Sequence, residues 1–289
     1  MGLIRRLIIG VVMMVVLAGS LGVAWMLVRS RTAAPDRAAR ILREISAAGL
    51  GAFWDNEDVK HYFLAQDVEG KPIGWYFMAR SYADGNYACL FYLTLPGVGI
   101  EGREECIVSA DARTVRYRGT LVSGNTPETA SIFLQDGKVT INTPQGSLSE
   151  AAPPNYIPEG LTWLVASRVA SGGDYAVFTT IFNQDAVEDN RVLFRSVNMR
   201  PQGPKKVLQE SIRRTARGEV EVTVAYRFDS AGQVEQIDEI NTGITFKRKP
   251  VQDVAKHFPQ VLRFETLRLK PGKPPENTGE PDEKDQIAT

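Results

Sequence analysis

Runs of β-branched and aromatic residues, separated by short turn clusters, fill the chain from Val59 to Asn142. The turn clusters are VEGKP, ADGN, PGVG, SADA, GNTPE and DG, whose residues favour tight reversals of the backbone. Short apolar runs between such turns are typical of antiparallel strands joined by hairpins. The pattern therefore predicts a meander of antiparallel strands.

The predicted strands differ in how many of their faces are apolar. In TVRYRGTLV, Val115, Tyr117 and Leu121 alternate with polar residues, which predicts one buried face and one wet face. The runs GWYFMARSY and YACLFYLTL are instead apolar at both parities, as in central strands covered on two sides. We therefore expect another part of the chain to pack over this sheet.

A second set of strands follows a break. Residues 143–158 are rich in Pro, Gly and Ser, and LTWLVASRVASGG then predicts a helix that ends at glycine. Strands are expected again over residues 174–249, most clearly in EVEVTVAYRF. In QVEQIDEI the apolar residues Val234, Ile237 and Ile240 recur every third position, which fits a distorted strand or a helical turn. We favour the strand.

Both ends of the chain differ from this middle. Residues 33–50 predict an amphipathic helix. Its apolar face could pack on the domain, or its basic face could lie on anionic lipid headgroups. We favour packing on the domain, which is the more common arrangement. PVQDVAKHFPQVL predicts a short helix beginning at Pro250, and residues 270–289 have the composition of a disordered tail. The expected fold is mainly β (α+β), an antiparallel meander sheet or half-barrel with a few short helices over residues 51–269.

The stretch from Leu7 to Val28 holds 22 residues with no charge. As a helix it would be about 33 Å long, enough to cross the hydrocarbon core of a bilayer. A cleaved signal peptide is the competing interpretation, with a small-residue site at Ala18-Gly19-Ser20, but the apolar run continues beyond that site. Residues 1–32 therefore predict a cytoplasmic stub and one transmembrane helix, with residues 7–28 in the lipid bilayer.

The orientation of this anchor is less clear from the charges. Arg5 and Arg6 flank one end, and Arg29, Arg31 and Arg37 begin a basic group at the other. The positive-inside rule, which places the more basic flank of a membrane anchor in the cytoplasm, would by itself put the large domain there. That rule is weaker for long translocated domains. We favour an extracytoplasmic domain on a single-pass anchor in the inner (cytoplasmic) membrane.

Composition and motifs exclude several function classes. Lysine plus arginine equals aspartate plus glutamate, at 34 each, so no nucleic-acid partner is expected. The run from Gly97 to Gly102 matches GxGxxG, but a strand-like run follows it, which predicts a hairpin loop. His61 and His257 are the only histidines, and no HExxH, CxxC, GxSxG, SxxK or Walker A motif occurs. We predict no metal site, no cofactor and no catalytic residue.

The two cysteines, Cys89 and Cys106, flank that hairpin loop. A four-residue loop from Pro96 to Gly99 would place them directly opposite each other, within disulfide range. A tighter type II turn would instead place Cys89 opposite Glu104. A disulfide would imply an oxidising compartment, whereas two free thiols would be small buried hydrophobes.

Aromatic and acidic clusters are the remaining candidates for a site. The aromatic residues Trp54, Tyr62, Trp75, Phe77 and Phe91 are candidates for a ligand groove, although such residues are more often core. Two acidic clusters, FNQDAVEDN and VEQIDEI, lack the ligand spacing of a calcium loop and are interpreted as solvated turns.

The C-terminal third carries a resemblance to a known family. Its Pro-rich entry, its helix, and the strands FDSAGQVEQI and TGITFKR resemble periplasmic half-barrel domains of the lipoprotein-carrier (LolA-like) kind and their uncharacterised relatives. The resemblance implies an incomplete antiparallel barrel wrapped over helices, often lined by apolar residues that receive an acyl chain. The long apolar N-terminal segment departs from the soluble carriers, and no ligand residue can be carried over.

These observations favour a membrane-anchored, extracytoplasmic, non-catalytic module that binds an apolar or lipid ligand or an envelope partner protein. One alternative is an envelope enzyme, a hydrolase, whose site is assembled from scattered residues. The other is a structural assembly subunit whose sheet cavity is filled by its own side chains.

Overall fold

The computed structural model describes residues 36–54, 58–123, 126–144, 146–181, 186–188, 190–215 and 218–269. The predicted anchor and the predicted tail therefore lie outside the described residues. No helix within the described part of the chain is long and apolar enough to cross a membrane.

In the described part of the chain, fourteen antiparallel strands form one large sheet, as the alternating patterns predict. Two hairpin-rich halves meet where β1 pairs with β16, so the order is β8-β7-β6-β5-β4-β3-β2-β1-β16-β15-β14-β13-β12-β9. The strands are β1 Val59–Gln66, β2 Pro72–Ala83, β3 Asn86–Leu95, β4 Ile100–Ser109, β5 Val115–Ser123, β6 Thr126–Gln135, β7 Lys138–Thr143, β8 Gly146–Ala151, β9 Ala176–Thr180, β12 Arg195–Pro201, β13 Lys206–Thr215, β14 Gly218–Phe228, β15 Val234–Glu239 and β16 Ile244–Lys249, with β10 Val187–Glu188 and β11 Arg191–Val192 as a separate hairpin.

Among the residues that the structure describes, three α-helices and four short 3-10 helices accompany the sheet. Helix α1 covers residues 36–48, and its Ile41 and Ile45 are buried in the main core, so this amphipathic helix packs on the domain as expected. The other helices are α2 Thr162–Gly172 and α3 Val251–Ala255, and the 3-10 helices are Leu50–Ala52, Pro96–Val98, Glu159–Leu161 and Pro259–Phe264.

The sheet wraps around helix α2. Inward-facing side chains from most strands join those of α2 in one core, which includes Trp163, Val165 and Val169. Because α2 buries residues on more than one of its faces, it is enclosed by its surroundings instead of lying on a surface. The helix predicted from LTWLVASRVASGG is confirmed and forms the centre of the fold.

The outer face of β1, β2 and β3 carries a second, smaller core. Trp75, Phe77 and Tyr92 point to this face and pack against Val254 and Phe264 of the C-terminal segment. That segment is held by Lys60 Nζ, which donates to the Glu265 carbonyl oxygen at 2.6 Å. The expectation that something covers these two-sided apolar strands is confirmed, and the cover is α3 with the 3-10 helix after it.

The sheet does not close into a barrel within the described residues, since β8 and β9 are its two edges. The chain between them fills part of this gap: the Ile157 amide donates to the Thr179 carbonyl oxygen on β9 at 2.7 Å. On the other side, the Val192 amide in the short hairpin donates to Glu150 of β8 at 3.2 Å. The result is an open, barrel-like wall, in agreement with the predicted half-barrel.

Strand β8 was not expected. The segment 143–158 has the composition of a loop, yet its first part pairs with β7 in regular antiparallel register. Five of the six residues of β8 are exposed, and only Leu148 is half-buried. An edge strand with two wet faces shows no apolar alternation, which is why its sequence resembles a loop.

Candidate functional site

An inner cavity lies between the wrapped sheet and the start of helix α2. Its volume is about 230 Å³, and its walls come from β2, β3, β4, β14, β15, β16 and the 3-10 helix before α2. The wall is largely apolar and aromatic. Its residues of this kind are Tyr76, Met78, Phe91, Leu93, Trp163, Val224, Tyr226, Ile237 and Phe246.

A glycine brings the start of α2 close to the sheet. A Cβ atom at Gly160 would lie 3.3 Å from Cys106 Cβ, which is tighter than most carbon contacts, and 3.5 Å from Phe91 Cε2, which is an ordinary contact. The turn is fixed by the Thr162 hydroxyl, which donates to the Glu159 carbonyl oxygen at 2.8 Å, and by Trp163 Nε1, which donates to that of Gly160 at 3.0 Å. This close approach holds Glu159 and Trp163 at the cavity.

Three carboxylates line the cavity, each from a different element: Glu104 on β4, Glu159 on the 3-10 helix and Glu239 at the end of β15. Desolvation by burial raises the pKa of Glu104, and the neighbouring Tyr117 hydroxyl partly opposes that shift. Desolvation also raises the pKa of Glu239, whose carboxylate accepts a hydrogen bond from the Thr242 hydroxyl at 3.0 Å. The cavity is thus lined by acidic as well as apolar side chains.

Tyrosine hydroxyls complete the polar part of this site. Burial, followed by the charge of nearby carboxylates, raises the pKa of Tyr76 and Tyr226 above the ordinary value of a tyrosine. Both hydroxyls therefore stay neutral at physiological pH. Neutral hydroxyls both donate and accept hydrogen bonds, so they suit a bound polar group better than a chemical step that needs a phenolate.

The five aromatic residues predicted as a groove do not meet at one place. Phe91 lines the cavity, and Trp54 lies near it, stacked on Trp163 with ring centroids 5.4 Å apart. Tyr62, Trp75 and Phe77 are buried on the opposite face of the sheet, beneath the C-terminal segment. The split follows from strand parity, because successive side chains of a strand point to opposite faces.

Sequence reasoning missed the acidic residues of this cavity. The strand favoured for QVEQIDEI is confirmed as β15, but its acidic cluster, interpreted as a solvated turn, leaves only Glu235 exposed and places Glu239 at the cavity. A signal was present in the shared parity of Ile237 and Glu239, which a strand places on one face. In the other acidic cluster, Asp185 and Asp189 lie outside the described residues.

The histidine and the glycine-rich motif that the sequence offered as candidate sites have structural surroundings. His61 lies half-buried on β1 with Nε2 3.4 Å from Gln233 Oε1, and burial lowers its pKa. Among the described residues, no three histidine, cysteine, aspartate or glutamate side chains are placed to hold a metal ion. The GxGxxG match is a hairpin loop, as predicted, in which Leu95 pairs with Ile100.

The two cysteines lie in register on adjacent strands. Cys89 on β3 pairs with Cys106 on β4, as the four-residue loop predicted, and both thiols are buried and free. Burial raises the pKa of Cys89 to about 12 despite the opposing effect of the Arg80 charge. A thiol that stays protonated is a poor nucleophile, which argues against cysteine chemistry at this site.

We expect Cys89 and Cys106 to form a disulfide when the chain is refolded with oxidised glutathione. Opposed cysteines on antiparallel strands approach disulfide distance, and closing this loop would stabilise the fold by about 3 kcal/mol. Thiol labelling of the denatured product would then find no free thiol without reductant. Cys106→Ser is the control, because its one remaining thiol has no partner in the chain. Full labelling of the refolded wild-type chain would contradict the prediction.

Comparisons with known proteins give only distant likenesses. No protein-family model matches the chain, and no curated protein matches it. Among solved structures, it is similar to a beta-barrel-like protein of the domain of unknown function DUF1849 from Brucella abortus, at 12% identity and a TM-score of 0.42, over 66% of this chain and 94% of that one. It is also similar to a DUF1089-family protein from Pseudomonas aeruginosa, at 11% identity and a TM-score of 0.35, over 58% and 90%.

Proposed function

We propose that this chain is a non-catalytic binding module whose inner cavity takes the apolar part of a small ligand, such as a short acyl chain. The observation that carries the proposal is the cavity of about 230 Å³ beside helix α2, with apolar walls that include Met78, Phe91, Leu93 and Phe246. At about 30 Å³ for each water-sized group, it has room for about eight such groups. Apolar walls with a few convergent polar groups are typical of ligand sites.

Straight-chain primary alcohols from butanol to decanol test this proposal by calorimetry. Each added methylene group should contribute about 0.8 kcal/mol, or about fourfold in affinity, until the cavity is full and the affinity levels off. Val224→Phe narrows the cavity and should weaken hexan-1-ol binding by about tenfold. Val98→Phe is the matched control, because Val98 is 65% exposed on a hairpin turn.

The results separate the candidate functions. If the alcohols bind equally well to the wild-type chain and to Val224→Phe, they do not bind in this cavity. If no alcohol binds, the result would favour the structural assembly subunit, in which the protein's own side chains fill the cavity. Affinity that keeps rising up to decanol would mean that the ligand extends beyond this cavity, as a longer lipid chain would.

A hydrolase is the second candidate, and one observation favours it: two carboxyls of raised pKa, Glu104 and Glu239, share one cavity. A carboxyl whose pKa is raised is better suited to act as a general acid than an ordinary glutamate is. Turnover of an ester, glycoside or peptide panel that is lost in Glu104→Gln would support this candidate over the binding module.

In this proposal the chain is a cell-envelope protein, anchored through residues 7–28 in the inner (cytoplasmic) membrane, with the domain outside the cytoplasm. The support is the uncharged run from Leu7 to Val28 together with the basic N-terminus. A disulfide between Cys89 and Cys106 in intact cells would agree with this location, because such bonds persist in oxidising compartments. An envelope partner protein remains a further proposed binding partner.

A further inference from the structure

A second cavity shares one wall residue with the inner cavity. Its volume is about 350 Å³, and its walls come from the 3-10 helix Leu50–Ala52 and the two residues after it, from helix α2, and from the turns that precede β13 and β15. Among the described residues, Trp163 is the only one that lines both cavities. The two cavities are therefore separate spaces that meet at the side chain of Trp163.

A narrow space lies between these two cavities. Its volume is about 10 Å³, which is about the least that holds one water molecule. It shares Met78 and Phe91 with the inner cavity and Gln233 with the second cavity. Trp163 lines this narrow space too, so all three spaces are neighbours around one indole ring.

The indole ring of Trp163 is fixed by contacts on two sides. Its Nε1 donates a hydrogen bond to the Gly160 carbonyl oxygen at 3.0 Å, in the turn that enters helix α2. The ring also stacks on that of Trp54, with centroids 5.4 Å apart and 16° between the ring planes. Trp54 is in turn held edge-on by Tyr87, at 5.0 Å between centroids. Because these contacts leave the ring little freedom, Trp163 forms a rigid wall.

The position of this wall decides how long a chain the inner cavity can hold. The inner cavity has room for about eight water-sized groups, and the second cavity has room for about twelve more. The second cavity has apolar walls of its own, which include Phe53, Leu164 and Phe228. Without the indole ring the two cavities would be continuous, because the vacated space borders both.

We propose that Trp163 limits the length of the apolar chain that the inner cavity takes, so that the protein selects chains of about eight groups or fewer. This inference rests on the proposed function, because it names the residue that decides which ligands the cavity accepts. A methylene group beyond the wall stays in water and gains nothing from burial. To enter, it would have to displace a ring that is held by a hydrogen bond and by stacking.

The affinity ratio of decan-1-ol to octan-1-ol, measured by calorimetry on the purified full chain, reports where the wall stands. In the wild-type chain we expect a ratio of about one, because the two extra methylene groups find no room. In Trp163→Ala we expect decan-1-ol to bind at least about tenfold tighter than octan-1-ol, since each buried methylene contributes about fourfold. A residue that served only stability would lower both affinities and leave their ratio unchanged.

Leu164→Ala is the matched control. Leu164 follows Trp163 in helix α2, is buried, and lines the second cavity but not the inner one. Its truncation removes a core side chain without opening the wall, so the ratio should stay at about one. Urea unfolding checks that each variant is folded, because truncation of a buried tryptophan is among the most damaging core substitutions. If Trp163→Ala does not fold, Trp163→Leu, which leaves a smaller void, should still raise the ratio to at least about fourfold.

Filling the second cavity should reverse the effect. Ser167 lies one turn after Trp163 in helix α2, is half-buried and lines the second cavity. Ser167→Phe alone should leave the ratio at about one, because it does not touch the inner cavity. Combined with Trp163→Ala, it should bring the raised ratio back towards one, because the added ring occupies the space into which the longer chain extends.

Failure of this inference differs from failure of the proposed function. If the alcohols bind but the ratio in the folded Trp163 variants stays at about one, Trp163 does not limit the chain. If the wild-type ratio is already about tenfold, no wall stops the chain, and the proposed function stands without this inference. If Leu164→Ala raises the ratio as much as Trp163→Ala does, general loosening of the core is the cause and the inference is wrong. If no alcohol binds to any of the chains, the proposed function and this inference fall together.

Discussion

Phe264→Ala is expected to lower the free energy of unfolding by about 3 kcal/mol. Phe264 is the aromatic side chain of the C-terminal segment that packs into the outer core, with ring centroids 4.6 Å from Phe77, 5.1 Å from Tyr92 and 5.4 Å from Trp75. Truncation would leave a void against three buried rings, and the lost contacts add to the lost transfer free energy. Urea unfolding of the wild-type and variant chains measures the difference.

Leu262→Ala provides the control, because Leu262 lies in the same 3-10 helix but is 42% exposed. Its effect should stay within about 0.5 kcal/mol, as for most surface substitutions. Equal stability of the two variants would mean that the C-terminal segment does not cover the outer face of β1, β2 and β3. In that case the apolar outer residues of these strands would be an exposed surface.

Gly74→Ala is expected to be about as damaging, with a loss of about 3 kcal/mol, at the upper end for overpacking. A Cβ atom at Gly74 would lie 2.2 Å from the Thr94 carbonyl oxygen and 2.7 Å from Leu95 Cδ2. The first of these contacts is with the backbone of β3, so side-chain rotation cannot relieve it and the two strands have to move apart. The same unfolding measurement reports the loss.

The matched control here is Gly97→Ala, in the turn between β3 and β4. Gly97 has no atom within 4 Å of an added Cβ and has no positive φ. Alanine there should change the free energy of unfolding by less than about 0.5 kcal/mol. If Gly74→Ala changed the free energy of unfolding as little as this control does, β2 and β3 could not approach each other this closely at Gly74.

Strand positions followed from the sequence where the determining interactions are local. For the hairpin at Pro96–Gly99 the sequence left two registers open, because the register depends on the length and turn residues of one loop, and the structure has the one that pairs Leu95 with Ile100 and Cys89 with Cys106. The strands that are apolar on both faces predicted a second covering layer for a similar reason. Alternate residues of a strand point to opposite faces, so the sequence shows how apolar each face is. The edge strand β8 was not predicted, because both of its faces are exposed to solvent and its sequence therefore shows no apolar alternation.

The candidate site followed much less from the sequence. Of its acidic residues, Glu104 and Glu159 were not site candidates, and Glu239 was placed on a favoured strand but in an acidic cluster interpreted as a solvated turn. Each carboxylate is unremarkable in its own segment, and only the cavity gives the three a shared role. Among the predicted groove residues, Phe91 alone lines the cavity, because a residue type does not reveal which face of a strand will be the inner one.

The sequence by itself determined that this chain is mainly antiparallel β with a helix between two sets of strands, because alternation and turn chemistry act over a few neighbouring residues. Only the tertiary structure decided the pairing of β1 with β16, the wrapping of the sheet around α2 and the meeting of Glu104, Glu159 and Glu239. These features join residues that are distant in the sequence, and their geometry depends on the accumulated curvature of the whole sheet, which no local pattern encodes.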